Sequence, residues 1–278
     1  MISGLQIKNY SDKDIQDRIV GSAVAVGVSR SLKPVVRYVS NTVSDNLIEK
    51  LQQITEEETE ILNKATNDAI KLSHMDKYGV RVQFLKMPEQ RKSSSQCKNM
   101  YEQIQNGYNC AFTRFAYKGI PAKTILMPEK GHSLSGFHEL GHAISETKPF
   151  GKFIIFTGRM INKIRPYKTA SMIAIYGALT EKSTNSDGSD LNTLQKTNNF
   201  IRNNAGKISA SFMIPRIIDE AMASINGQKL ANKLLNKKLS GRVAKNNLIG
   251  FSTYLVHAGL LAGISASAVK IKDAFCEK

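Results

Sequence analysis

His138-Glu139-Leu140-Gly141-His142 decides how the rest of this chain is read. On a helix, residues four apart stand one above the other on one face. The two histidines can therefore each offer an imidazole nitrogen to a single zinc ion. Glu139, beside the first histidine, is placed to take a proton from a water activated by that ion. The flanking residues favour such a helix. Thr124-Ile125-Leu126-Met127-Pro128 reads as a short apolar strand ended by proline. A loop with Gly131, Ser133 and Gly136 follows. Phe137, Leu140, Ala143 and Ile144 then recur at helical spacing and give a face that must pack on a core.

A catalytic zinc usually has three protein ligands and one open position, so a third ligand is expected elsewhere. The best stretch is Pro215-Arg216-Ile217-Ile218-Asp219-Glu220-Ala221-Met222-Ala223-Ser224. It reads as a helix, and Ala221, Ala223 and Ser224 are small enough to let it approach the histidine helix closely. Glu220 and Asp219 are the two candidate ligands.

These motifs resemble the gluzincin metallopeptidases, in which His-Glu-x-x-His on one helix is completed by a Glu on a later one. Within them the chain is most similar to bacterial membrane-associated zinc metallopeptidases with a second Glu-x-x-Ala-Ser or Glu-x-x-Ala-Asp motif. Here that string is Glu220-Ala221-Met222-Ala223-Ser224, and the resemblance selects Glu220 over Asp219. Many gluzincins have Asp where Ser224 stands, orienting a zinc-bound histidine, so support of that kind is expected to differ here. Asn109-Cys110-Ala111-Phe112 resembles a segment upstream of the zinc helix in related families. The likeness extends over about residues 65–228 by motif order.

The resemblance implies an α+β, mainly helical, zincin-like fold, with a small mixed or antiparallel sheet before the zinc helix and helices after it. It implies zinc-dependent endopeptidase activity: Zn²⁺ held by His138, His142 and Glu220, with Glu139 as general base, acting on a protein or peptide substrate. It also implies an edge strand that holds substrate in extended form, through residues 111–115 or 124–127. Related enzymes often add a His or Tyr that stabilises the oxyanion; His132, Tyr176 and His257 are available. His74 reads as a helix-end residue. Two other readings keep the motif: a soluble regulatory protease that cleaves a repressor-type protein, and a non-catalytic, membrane-associated metal-binding protein. A purely structural metal site has no need of Glu139, which weighs against the latter.

With 278 residues, 41% of them hydrophobic, the chain has material for one large domain or two small ones. It carries 39 Lys+Arg against 23 Asp+Glu, a formal charge of +16. From Ile201 onward there are twelve basic and four acidic side chains. Such a surface suits an anionic membrane; with no Trp and no recognised nucleic-acid motif, nucleic acid is not expected as a partner. Cys97, Cys110 and Cys276 are widely separated, which argues against a disulfide framework. Residues 1–14 lack a basic region followed by an apolar run and do not read as a secretory signal peptide.

Along the chain, Ser11-Asp12-Lys13-Asp14 resembles a capping box opening a helix over about residues 11–29. Pro34 marks a break, and a second helix is expected over about residues 42–72, with 56–60 as a solvated acidic patch. Gly79 reads as a helix stop and 80–85 as a strand. Residues 91–98 read as a polar loop, and 110–117 with 122–127 as a hairpin about Gly119. After the zinc helix, 169–179 and 208–218 read as core helices flanking a polar loop at 181–204. Residues 248–269 carry no formal charge and are about long enough to cross a bilayer, yet their Gly, Ser, Thr and His257 also suit a packed bundle. The expected division is 1–40 as an N-terminal helical segment, 41–232 as the zincin-like domain, and 233–278 as a basic linker with the apolar helix. Membrane association is expected, integral through that helix, and a cytoplasmic location otherwise.

Overall fold

The computed structural model describes residues 12–51, 54–90, 92, 96–116, 119–131, 133–163, 165–184 and 190–276. Its elements run α1 (Asp12–Leu51), α2 (Glu56–Leu72), β1 (Arg81–Leu85), α3 (Met100–Gln105), β2 (Ala111–Thr113), β3 (Thr124–Pro128), α4 (Gly136–Thr147), α5 (Pro149–Lys163), α6 (Pro166–Leu179), α7 (Thr193–Asn203), α8 (Ala205–Ser211), α9 (Ile214–Leu234) and α10 (Lys237–Cys276). The chain is mainly helical with one small mixed sheet, so the α+β expectation holds at that level.

The chain divides into two compact units that alternate along the sequence. One comprises Ser40–Met160 and Ile214–Leu255; the other comprises Met1–Val39, Ile161–Met213 and Val256–Lys278. The first boundary falls at Val39/Ser40, beside the one read at residue 40; none falls at 232, and the units alternate along the chain instead of following one another. At three of the four boundaries no linker is found, because α1, α5 and α10 run through them; the fourth, at Met213/Ile214, falls between α8 and α9.

The first unit carries the histidine motif. Its sheet has the order β1-β3-β2. β3 is central and all five of its residues are buried. It runs parallel to β1, from Arg81↔Thr124 to Leu85↔Pro128, and antiparallel to β2, with Phe112 opposite Ile125. The core joins Leu62 and Ala69 of α2, Ile125 and Met127 of β3, Phe137 and Leu140 of α4, and Leu239 and Val243 of α10. Each large side chain of this kind contributes about 1.5–3 kcal/mol on burial, and together they hold α4 between the sheet and the later helices.

Several local expectations are corrected. Pro34 does not break α1, which continues to Leu51. A proline removes one ladder hydrogen bond, but the helical runs on either side are long enough to propagate. The break comes before Thr55, whose side chain accepts from Glu58 N while Glu58 reaches back to Thr55 N. Glu58 is therefore not part of a solvated patch; it also binds Lys238 and Arg242 at 3.1 and 2.6 Å. α2 ends at Leu72, with His74 just beyond at φ 58°, and Gly79 closes a short 3₁₀ turn, not the helix. Much of the polar loop at 91–98 lies outside the described residues, and α3 follows it, with Asn99 as its cap. Part of the stretch read as a polar loop at 181–204 is helix α7, opened by an Asn192–Gln195 capping box. Ser11 and the hairpin tip at 117–118 lie outside the described residues.

In the second unit, Ala25, Ala174, Ala178 and Ala268 meet in a cluster of small side chains. Arg202 is buried there, donating to Gly177 O at 2.6 Å and pairing with Asp273. α6 is only half a core helix: its alanines face inward, while Met172 and Leu179 are exposed. α10 is long and apolar enough to cross a membrane, and only 11% of its most apolar window is buried.

Candidate metal centre

α4 begins at Gly136 and presents His138 and His142 on one face, their ring centroids 4.8 Å apart. The opposite side of the helix buries Phe137, Leu140 and Ala143 in the core, so the apolar spacing that predicted the helix also aims the imidazoles. α9 lies against α4 and supplies Glu220. Glu220 Oε2 is 3.1 Å from His138 Nε2 and 3.6 Å from His142 Nε2. A tetrahedral zinc with bonds of 2.0–2.1 Å separates its ligand atoms by ~3.3 Å, so the two distances bracket the required edge. The three ligand atoms all lie within 4.8 Å of one another, and the group can hold a metal ion. The three side chains keep 11–13% of their surface exposed, which leaves a path to solvent.

The Nδ1 atoms have their own partners, and these differ. Ser224 Oγ lies 3.2 Å from His138 Nδ1. Asp219 Oδ1 lies 3.4 Å from His142 Nδ1. Asp219, the rival ligand in the sequence, thus sits behind a histidine and not in the ligand triangle. It is held in turn by Arg114 at 3.2 Å, whose guanidinium also pairs with Glu146. Such partners fix the imidazole tautomer and leave Nε2 for the metal. A hydroxyl thus stands behind one imidazole and a carboxylate behind the other.

Glu139 is half-buried on the same helix. One of its carboxylate oxygens accepts from the backbone N–H of Phe112 on β2 at 2.8 Å. Burial raises its pKa above the ordinary carboxylate value, against the opposing pull of His142 and His138; a carboxylate shifted this way is a better base near neutrality. Burial works against a charged His142, but Asp219, Glu220 and Glu139 outweigh it and push its pKa up to about 10 without metal. Glu220 is opposed by burial too, yet His138 and His142 hold its pKa well below the usual value.

The expected edge strand is shorter than the sequence suggested. Residues 124–127 belong to the central strand, and β2 is only Ala111–Thr113. Its Phe112 amide already serves Glu139, so β2 offers an extended peptide fewer main-chain groups than expected. Of the proposed oxyanion residues, His132 lies outside the described residues. Tyr176 and His257 belong to the other unit, where Tyr176 donates to Asn198 at 3.0 Å and His257 Nδ1 lies 3.3 Å from Tyr167 Oη. The residue missed by sequence is Tyr254 on α10. Its hydroxyl is near enough to the Glu220 and Arg216 side chains to feel both electrostatically, and the Arg216 guanidinium lies 5.1 Å from its ring centre. No spacing in the sequence announces it, because the return of α10 to the site is a tertiary event.

The close approach of α4 and α9 depends on two glycines. A Cβ on Gly141 would lie 1.9 Å from Ala223 O, and one on Gly227 2.2 Å from Phe137 O. The obstacle in each case is backbone, which cannot rotate aside. Gly141→Val is therefore expected to force the helices apart, lowering stability by at least the ~1–3 kcal/mol typical of overpacking. Thermal denaturation together with zinc per chain checks this; an unchanged midpoint and full zinc content would contradict the packing described. Comparisons of the chain with protein-family models, curated proteins and solved structures return no match.

Proposed function

We propose that the protein is a zinc-dependent metalloendopeptidase. One observation carries the reading: Glu220 Oε2 lies 3.1 and 3.6 Å from the two imidazole Nε2 atoms, ligand atoms of all three residues lie within 4.8 Å of one another, and Glu139 is one residue from the first histidine. Zinc, once bound, supplies a Lewis acid and brings the pKa of a water into the neutral range. The chain's own residues do the rest. Glu139, held through one oxygen by the Phe112 amide, takes the proton of the attacking water and returns it to the departing amine. Asp219 and Ser224 keep both imidazoles oriented, and Tyr254 lies close to Glu220. Glu139 is the feature that a purely structural metal site would not require. The apolar length of α10 supports a membrane-associated enzyme.

The test is metal removal. Zinc-loaded protein is expected to cleave a fluorescently labelled unfolded protein, to lose that activity on treatment with dipicolinate, and to recover it with one equivalent of zinc. Protein that binds zinc at His138, His142 and Glu220 but cleaves nothing, or chelated protein that still cleaves, would overturn the assignment.

A further inference from the structure

Helix α5 carries a surface that the metal centre does not use. At 100° per residue its circumference divides into three sectors. Gly151, Ile154 and Ile155 are buried. Phe150, Phe153, Phe156 and Met160 form an outward sector, 48–61% exposed. Lys152, Arg159 and Lys163 fall in the sector between, also exposed. The helix therefore buries its aliphatic side and leaves its aromatic side in solvent, the reverse of what folding alone would select. Arg159 lies 4.9 Å from the ring centre of Phe115, itself 65% exposed, which extends the aromatic patch beyond the helix.

We propose that α5 docks in the plane of an anionic lipid bilayer, its phenylalanines entering the boundary between headgroups and acyl chains and its basic stripe meeting the phosphates. Interfacial helices have this arrangement, with aromatic residues on one side and Lys/Arg beside them. Charge selects the partner. Between Glu146 and Glu181 there are six basic residues and no acidic one. Each basic side chain near an anionic surface strengthens binding, whereas the core of a protein interface is depleted of lysine. The inference concerns α5 alone and does not depend on peptide hydrolysis.

The chain contains no tryptophan, so Phe156→Trp in the full-length protein gives a single reporter on this face. Tyr78→Trp, at a position 51% exposed, gives a control. Each is mixed with vesicles of brominated phosphatidylcholine, alone or with brominated phosphatidylglycerol. Fluorescence at 156 is expected to shift to the blue and be quenched with the anionic lipid, and that at 78 to remain unquenched. Adding Lys152→Gln and Arg159→Gln is expected to weaken the association roughly 30-fold, at about 1 kcal/mol per basic side chain. An unquenched reporter at 156 overturns the proposal even where α10 anchors the protein. Shielding at 156 that depends on protein concentration and not on lipid overturns it too, and assigns the face to self-association. Zinc content and hydrolysis by the same variants are expected to match wild type, so failure here is separable from failure of the hydrolase reading.

Discussion

Replacing Glu139 by glutamine is expected to leave zinc content unchanged and to reduce peptide hydrolysis by about 10²–10⁴-fold, the usual range for a positioned general base. Glutamine is nearly isosteric, and its amide oxygen can still accept the Phe112 N–H that fixes the side chain. It cannot hold a proton between water and the departing amine. The relevant measurements are metal analysis and turnover of an unfolded protein on the same preparation. Equal activity would remove Glu139 from the mechanism. Loss of zinc would mean that the side chain supports the ligands and does not act as a base.

Glu220→Ala is expected to have the largest effect on the metal. It removes one ligand and leaves two imidazoles facing a void, so zinc affinity should fall by more than the ~10–100-fold that loss of a supporting partner costs. Asp219→Asn should fall within that smaller range, because Asp219 touches only the far nitrogen of His142. Competition against a zinc-binding dye separates the two. An equal loss for both would place Asp219 among the ligands, and no loss for Glu220→Ala would dismantle the site.

The same charges make metal uptake pH-dependent. Without metal, Asp219 and Glu220 keep His142 protonated at neutral pH, its pKa raised from 6.5 to about 10. Zinc must displace that proton, so uptake should release protons and apparent affinity should rise with pH. The raised histidine stabilises the metal-free fold fully below its unfolded pKa, and that contribution fades as pH climbs toward 10. Glu220 and Asp219 are lowered, so their contribution is present above the ordinary carboxylate range and fades on acidification. The contribution of these three groups to metal-free stability is accordingly largest above the ordinary carboxylate range and below 6.5. Calorimetry in buffers of different ionisation enthalpy counts the protons released.

How much of this could be read beforehand depended on how local each signal was. His138, Glu139 and His142 lie within one turn and a half of helix, and the apolar spacing of Phe137, Leu140 and Ala143 fixes which way they point. Their placement follows from the sequence alone. Glu220 was preferred to Asp219 only through a family motif; the geometry separates the two, one facing Nε2 and the other Nδ1. Gly141 lay in plain view inside the motif, yet its steric role needs the partner helix to be known. Thr55-Glu56-Glu57-Glu58 held a complete helix-start signal that acidity obscured. Pro34 was overvalued as a breaker, and the helical stretch of 193–203 was undervalued because its Asn, Thr and Gln resemble a loop by composition. The exposed phenylalanines of α5 had no signature at all, since hydrophobic periodicity marks the buried and unburied sides alike.

The alternation of the two units has a practical corollary for anyone wishing to shrink the protein. A fragment ending at residue 232 would keep every proposed zinc ligand and still forfeit Leu239 and Val243 from the core, the Arg242 partner of Glu58, and Tyr254. Excision by simple truncation is thus ruled out by connectivity. A minimal version has to be rewired, with 40–160 joined to 214–255 by a new crossing in place of the residues removed.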